Sequence, residues 1–400
     1  MTPERIDELI RIYRDGLLSD VLPFWMRHGI DSEYGGYMTC LDRDGTILDT
    51  DKCVWQQGRF AWLLGELFNN VEANDEWLEL AKSGCRFITD HCIDVADDRM
   101  WFQVTREGRP LRKRRYSFSE SFAAIAFGEL AKATDDERYV DLATRAFEQF
   151  INHNLSPQGV VPKFTDERPS QGLGFPMITI ATAQELRESI GLPTADEWID
   201  RGIDRIRRDF LKPDIQCVME TVAPDGSLID HFDGRTLNPG HAIEGAWFVM
   251  WEGKLRGDNG LIKTGCQVLD WMWDRGWDKQ YGGMLYFVDV NGTPVQEYWH
   301  DMKFWWPHNE AIIATLLAYQ LTGDQKYATW HSQVHDWSYQ NFPDAAHGEW
   351  FGYLHRDGRL SVPLKGNLWK GPFHLPRMQL VCWRILEEMA ASGPSPHSQR

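Results

Sequence analysis

Two short segments each set a histidine three residues ahead of a charged partner. NPGHAIEGAW carries His241 and Glu244, and GPFHLPRMQ carries His374 and Arg377. On a helix that spacing puts both side chains on one face. Asn238 suits an N-cap and Pro239 a first helical turn. Imidazole is the side chain best matched to proton transfer near neutral pH. Glu244 either sets the tautomer of His241 or forms a simple side-chain pair with it. Arg377 either covers a carboxylate or binds a substrate oxygen. Further candidates are Arg59 in WQQGRFAW, Glu120 in FSESF, and Lys303, His308 and Glu310 in KFWWPHNEA.

Other chemistries find less support. There is no His-Glu-x-x-His or paired-cysteine motif, and the histidines come from separate segments, so no metal is expected. The Asp42–Gly45 stretch opens like a calcium loop but lacks the remaining ligands. No GxGxxG follows a strand, no Walker A loop is present, and QGLGFP at Gln171–Pro176 is too short to imply a nucleotide. G-x-S-x-G is absent, which removes serine hydrolase chemistry.

The elements that must position these residues follow from the turns. Gly45, Gly108, Gly159, Gly226, Gly292 and Gly358 each follow Asp, Glu, Gln or Asn between short alternating apolar stretches, a hairpin signature. Bulky apolar residues at helical spacing follow each turn, over residues 52–69, 116–134, 176–190, 240–253, 303–322 and 373–390. A second helix precedes each turn, over residues 3–28, 75–92, 136–153, 195–211, 258–275 and 325–341. A helix–hairpin–helix unit repeated in this way predicts a closed (α/α)6 barrel, with hairpins at one end beside the starts of the inner helices. An open superhelix is the competing architecture, but neither terminal unit reads as a polar cap. Counted from its turn glycine, Arg59 lies at 14, Glu120 at 12, His241 at 15, and His308 and His374 at 16. Those offsets predict that all five share one rim.

Composition narrows the partners. A net charge of −17 argues against nucleic acid or an anionic membrane surface. The basic run Arg112–Arg115 reads as a solvated face. No apolar run reaches the roughly 18 residues of a membrane span. The charged, helix-patterned N-terminus is unlike a signal peptide. Seven cysteines without metal-type spacing suggest reduced thiols and a cytoplasmic location. Residues 1–390 read as one domain, and 391–400, rich in Pro and Ser, as a disordered tail. Nineteen tryptophans suit a cleft for sugars, whose apolar C–H faces match indole rings.

The segments YGGYMTCLDRDG, WQQGRFAW, FSESF, NPGHAIEGAW, KFWWPHNEA, GEWFGYL and KGPFHLPR together resemble the N-acylglucosamine 2-epimerase (renin-binding protein) family, over about residues 20–380. The resemblance implies an (α/α)6 barrel and interconversion of N-acetylglucosamine with N-acetylmannosamine, with His241 and His374 as the catalytic pair. It implies that Arg59, Glu310 and Arg377 matter to activity, and His308 in WWPH looks like the aminosugar branch. With Glu120, Glu244 and Lys303, these form the expected substrate-binding set. No cofactor is implied for the chemistry; ATP is implied as an allosteric activator, and a homodimer fits the rim aromatics. The rival readings are a 2-epimerase or aldose–ketose isomerase for mannose, glucose or cellobiose, an inverting glycoside hydrolase using Glu120 with Glu310, and a non-catalytic binding protein. The hydrolase would hold its two carboxylates roughly 6.5–9.5 Å apart.

Overall fold

The computed structural model describes residues 1–156 and 164–392. The Gln158–Gly159 turn and residues 393–400 lie outside them. In chain order the first six long helices are α1 (residues 3–28, with a π-helical stretch at Gly16–Val21), α2 (Val54–Asn70), α3 (Asp75–Phe87, extended by Ile88–Cys92), α4 (Phe118–Thr134), α5 (Glu137–Leu155) and α6 (Gly174–Ile190). The other six are α7 (Ala195–Arg205, extended by Ile206–Phe210), α8 (Pro239–Arg256), α9 (Asn259–Gly276), α10 (Trp305–Thr322), α11 (Gln325–Asn341) and α12 (His374–Ser392). Helix α12 runs through Ser392, so the expected tail start at residue 391 falls inside it.

Burial sorts these helices into two layers. Along α2, α4, α8 and α10 consecutive residues are buried on every side, as in Gln56–Leu67 and Trp305–Ala318. Such helices are covered all round. Their odd-numbered neighbours bury one stripe only, as α3 does with Trp77, Ala81, Gly84 and Cys85. The odd-numbered helices therefore form the outer layer of the (α/α)6 barrel, and the even-numbered ones line its axis. Close approach of inner helices depends on small residues. A Cβ at Gly58 would lie 2.6 Å from the backbone carbonyl of Phe122, so glycine there lets α2 meet α4. Side-chain caps fix several starts: Asn74, Asp136, Asp258 and Asp324 each accept an amide hydrogen from the first turn.

The strands gather at one end, beside the inner-helix starts. Those of the first half are β1 (Cys40–Leu41), β2 (Ile47–Asp49), β3 (Lys52–Cys53), β4 (Gln103–Val104), β5 (Pro110–Arg112) and β6 (Gln171–Gly172). Those of the second half are β7 (Leu211–Lys212), β8 (Cys217–Val218), β9 (Thr221–Val222), β10 (Thr236–Leu237), β11 (Val288–Asp289), β12 (Lys303–Phe304), β13 (Tyr353–Leu354) and β14 (Leu360–Val362). Gly45, Gly108 and Gly358 close true hairpins, β1–β2, β4–β5 and β13–β14. Gly226 and Gly292 also turn with positive φ, but the expected local hairpins do not form there. Instead β9 pairs with β6 and β11 with β10. In each case the strand before an inner helix captures the strand after the next outer helix, as β3 does with β4 and β12 with β13. This pairing stitches unit to unit.

The same logic closes the ring. The amides of Lys365 and Gly366 donate to the Leu41 carbonyl, and the Leu41 amide donates to that of Gly366. Arg384 of α12 pairs with Glu66 of α2 at 2.6 Å. Tyr13 of α1 meets His331 and His335 of α11 through its hydroxyl, at 3.2 and 2.8 Å. The alternative of an open superhelix is thereby excluded.

A buried charge cluster recurs three times at the strand end. Asp31 holds Lys52 and Arg106, Asp278 holds Lys303 and Arg356, and Asp344 holds Lys365 and Arg43. Each aspartate closes the loop after an outer helix, each lysine comes from just before an inner one, and the arginine follows from another unit. Lys303 is fully buried, its Nζ 3.0 Å from Asp278. Burial pulls its ammonium down to about 8. Lys303→Met should cost about 3 kcal/mol, because it strips a partner from a buried carboxylate. Arg356 and the ordinary screening of a second partner set that figure at the low end. Chemical denaturation checks the loss.

Candidate active site

A cavity of about 1480 Å³ runs down the barrel axis from the strand end. Arg59, His241, Glu244, His374 and Arg377 line it, among Trp55, Trp62, Trp247, Trp305, Trp306 and Phe373. His241 stands in the first turn of α8, which Asn238 caps by accepting the His241 amide at 3.2 Å. His374 opens α12. Both rings lie against one indole: Trp306 is 5.0 Å from His241 and 5.7 Å from His374, centroid to centroid. The two imidazoles are therefore no farther apart than those distances together, and they face a common space.

Each histidine has its own carboxylate. His241 Nδ1 lies 3.0 Å from Glu220, and His374 Nδ1 lies 2.7 Å from Glu310. Nδ1–H donation to a carboxylate leaves Nε2 of each ring free toward the cavity. Glu310 is saturated: it also accepts from Trp247 Nε1 at 2.8 Å and from Arg377 Nη2 at 2.7 Å. The same Arg377 nitrogen donates to Glu244 at 2.6 Å.

The surroundings drive the two imidazoles apart in basicity. Burial pulls His374 down, and the Arg377 guanidinium adds to this, leaving it well below the usual histidine range. Burial acts on His241 too, but the Glu220 carboxylate outweighs it, with Glu244 and Glu310 adding, so its affinity for a proton rises. One ring is held neutral while the other is disposed to carry a proton. Pairs of groups separated this way mark acid and base roles.

Arg59 supplies a second cation. Its guanidinium packs over Phe122 at 4.1 Å and Phe373 at 4.7 Å. Among the described residues its Nε has no partner, and burial brings it down to about 10. An unengaged, buried guanidinium in a cavity wall is suited to a developing oxyanion. Ligand atoms of Glu244, Glu310 and His374 lie within 4.8 Å of one another, a spacing a metal ion could use. Arg377 already donates to both carboxylates and supplies the positive charge there.

Three residues of the expected substrate-binding set point elsewhere. Glu120 accepts the Met100 amide at 2.8 Å. His308 accepts the Met284 amide at 2.9 Å, donates to the Phe304 carbonyl and stacks on Trp337; burial takes it down to about 3. Lys303 sits in its charge cluster. None of the three lines the cavity, and Glu310 stands behind its wall, against His374 and Arg377. Gln57 plays the same part as Glu120 and His308, accepting the Tyr37 amide at 2.7 Å. These side chains are repeat equivalents that pin the loops after α1, α3 and α9. Each residue turns a helix by about 100°, so offsets of 12 to 16 cannot distinguish the axial face from the outward one. The hydrolase pair of Glu120 and Glu310 is not assembled, because neither carboxylate lines the cavity.

Residues 36–374 match the family model of N-acylglucosamine 2-epimerase. The N-acylglucosamine 2-epimerase of Bos taurus is 35% identical over 96% of this chain and 94% of its own. The chain belongs to the N-acylglucosamine 2-epimerase family. The Homo sapiens N-acylglucosamine 2-epimerase is 34% identical over 95% of this chain and 90% of its own. The solved cellobiose 2-epimerase of Spirochaeta thermophila superposes with a TM-score of 0.83 at 20% identity, over 96% of this chain and 98% of that one. For this member of the N-acylglucosamine 2-epimerase family, two residues escape a reading of the sequence. Glu220 lies 21 positions before His241, and only the β6–β9 pairing, with the Leu173 amide on the Glu220 carbonyl, sets it there. Trp306 is one of many tryptophans, and its place against two histidines of other units has no local signature.

Proposed function

We propose that the protein is a single-domain, cytoplasmic sugar 2-epimerase that interconverts N-acetylglucosamine and N-acetylmannosamine. The observation that carries this reading is the pair of imidazoles packed against Trp306, each oriented by its own carboxylate and disposed to opposite protonation states. The sugar opens to its aldehyde in the cavity. Neutral His374 takes the C2 proton through Nε2. Negative charge develops on the C1 oxygen of an enediolate-like intermediate and is met by Arg59 or Arg377. Protonated His241 returns a proton to the opposite face of C2, inverting it. Reaction of the other epimer starts from the reverse protonation states. Glu310 and Glu220 orient the rings, and Glu244 holds Arg377.

The aminosugar is preferred over cellobiose because the aminosugar relatives are far more similar to this chain. No step uses ATP, and the sequence holds no glycine-rich phosphate loop to cradle it. The activation implied by the family resemblance would thus act on the fold rather than on the chemistry. The described cysteines are all unpaired and buried, which fits a reducing compartment. No helix among the described residues is long and apolar enough to cross a membrane. Exposed rings of Tyr298 and Trp369 beside the mouth support a homodimer.

Incubation with N-acetylmannosamine in D₂O, followed by NMR at C2, tests the reading. Formation of N-acetylglucosamine carrying deuterium at C2 is expected; an unchanged sugar overturns it. The pH profile follows from the same pair. His374 is neutral above its depressed pKa, and His241 is protonated below its raised one. So kcat/KM should rise on the acid side and fall on the alkaline side. Glu220→Gln removes the carboxylate that raises His241, and the alkaline limb should move down by about one pH unit or more.

A further inference from the structure

The axial cavity does not stop at the histidines. It is lined by His241 in the first turn of α8 and by Leu255 in the last, roughly 21 Å apart at 1.5 Å per residue. Its volume exceeds the roughly 300–1,000 Å³ of a typical small-molecule pocket. Among the described residues the lining carries exposed side chains at both ends: Trp369 is 44% exposed at the strand end, and Leu255 is 57% exposed at the other. A sugar held between the histidines blocks the strand-end mouth but leaves the far part for water, about 30 Å³ to each molecule.

Glu185 stands in that far part, on the cavity side of α6. One of its oxygens accepts from Trp62 Nε1 at 2.8 Å. No other hydrogen bond holds the carboxylate among the described residues. The charged groups around it come from four inner helices: Glu66 on α2, Glu129 on α4, Glu188 on α6, and Arg377 on α12. Burial, then Glu66, pushes Glu185 up to about 8, so it takes and releases protons near neutrality.

The reaction needs such a group. After one passage His374 holds the substrate's proton and has lost its resting state. While the sugar occupies the mouth, that proton can reach solvent only by the far end of the cavity. Resting on the epimerase reading above, we propose that Glu185 passes protons between His374 and solvent through the far opening while the sugar remains bound. The imidazolium gives its proton to cavity water, the Glu185 carboxylate accepts one from that water, and bulk water removes it; no other bond changes. Glu185 is thus a positioning residue for the proton on His374, with no contact to the sugar.

The isotope content of unconverted sugar reads this step directly. When the intermediate collapses back toward the starting epimer, it is reprotonated from the histidine that deprotonated it. Deuterium then appears in unconverted sugar only if that histidine exchanged with D₂O in the meantime. Each epimer should be incubated in D₂O with the parent protein, Glu185→Gln and Glu185→Asp, and the remaining starting sugar analysed at low conversion. For the epimer whose C2 hydrogen faces His374, Glu185→Gln should cut deuterium in the starting sugar by about 10²-fold. Glu185→Asp, which keeps the titrating group, should restore it. For the other epimer, served by His241, whose side chain is 33% exposed against 11% for His374, the three proteins should agree. A purely structural role for Glu185 would not separate the two epimers. Equal deuteration with and without the carboxylate, suppression for both epimers, or a parent whose recovered sugar never gains deuterium would each overturn the proposal. Absence of any conversion by the parent would instead overturn the epimerase reading.

Discussion

Exchanging His374 for glutamine should lower conversion by about 10²–10⁴-fold, the usual contribution of a positioned proton-transfer group. Glutamine keeps a donor for Glu310 but has no basic nitrogen to face the sugar. His241→Gln should do the same from the opposite side. The two variants should then differ in what they still catalyse. A protein with only one base should exchange the C2 hydrogen of the epimer that faces it, yet fail to invert the carbon. Deuterium would wash into one sugar without its epimer forming, and into a different sugar for each variant. If the intermediate instead turned over in the cavity, either variant would still produce both epimers. That outcome would replace the two-base scheme with a one-base one. Circular dichroism should remain helical in both, because neither ring is a principal packing element of the core.

The second large effect is at Arg377. It is buried, and one nitrogen serves both Glu244 and Glu310. Arg377→Met would leave two carboxylates facing each other and His374 with no cation between them. Breaking a buried charge network by removing one partner costs about 3–5 kcal/mol, and urea unfolding at neutral pH should read that loss. His374 would also lose the guanidinium that helps keep it neutral, so its pKa should rise. The acid limb of kcat/KM should then shift upward in pH, separating this effect from mere loss of fold. Arg377→Lys should recover part of the stability, since it returns the charge, but less of the rate. The ammonium, on a shorter stem and more strongly hydrated, does not stand where Nη2 now donates to both carboxylates.

Much of this was legible in residue order. Twelve helices follow from apolar spacing, and their bounds agree with the structure to within a few residues, as in α3 and α11. The five turn glycines among the described residues, Gly45, Gly108, Gly226, Gly292 and Gly358, lie where the backbone takes positive φ. The placement of His241, His374, Arg59 and Arg377 on the cavity wall follows from their nearness to inner-helix starts. Strand partners were not legible: a two-residue strand such as β9 has too little pattern to say whether it folds back locally or pairs with β6. The direction of a side chain around a buried helix was not legible either. In α10, where apolar residues lie on every side, no polar face marks the difference between His308 turned outward and Glu310 turned inward. Glu220 lay hidden for the same reason, as its chemistry is decided by a pairing that local sequence does not encode.

The seam where the last unit meets the first is built like the others, with Arg43 on Asp344 and the Leu41 backbone against Gly366. A linear array of helical pairs frays from its outermost members, which lack a neighbour on one side. Here every member has two neighbours, so no unit is available to peel away first. Losing any one of them opens the axial cavity to bulk water and breaks two interfaces at once. The barrel should therefore melt as one cooperative body, and the histidine pair should keep its spacing until the whole ring gives way.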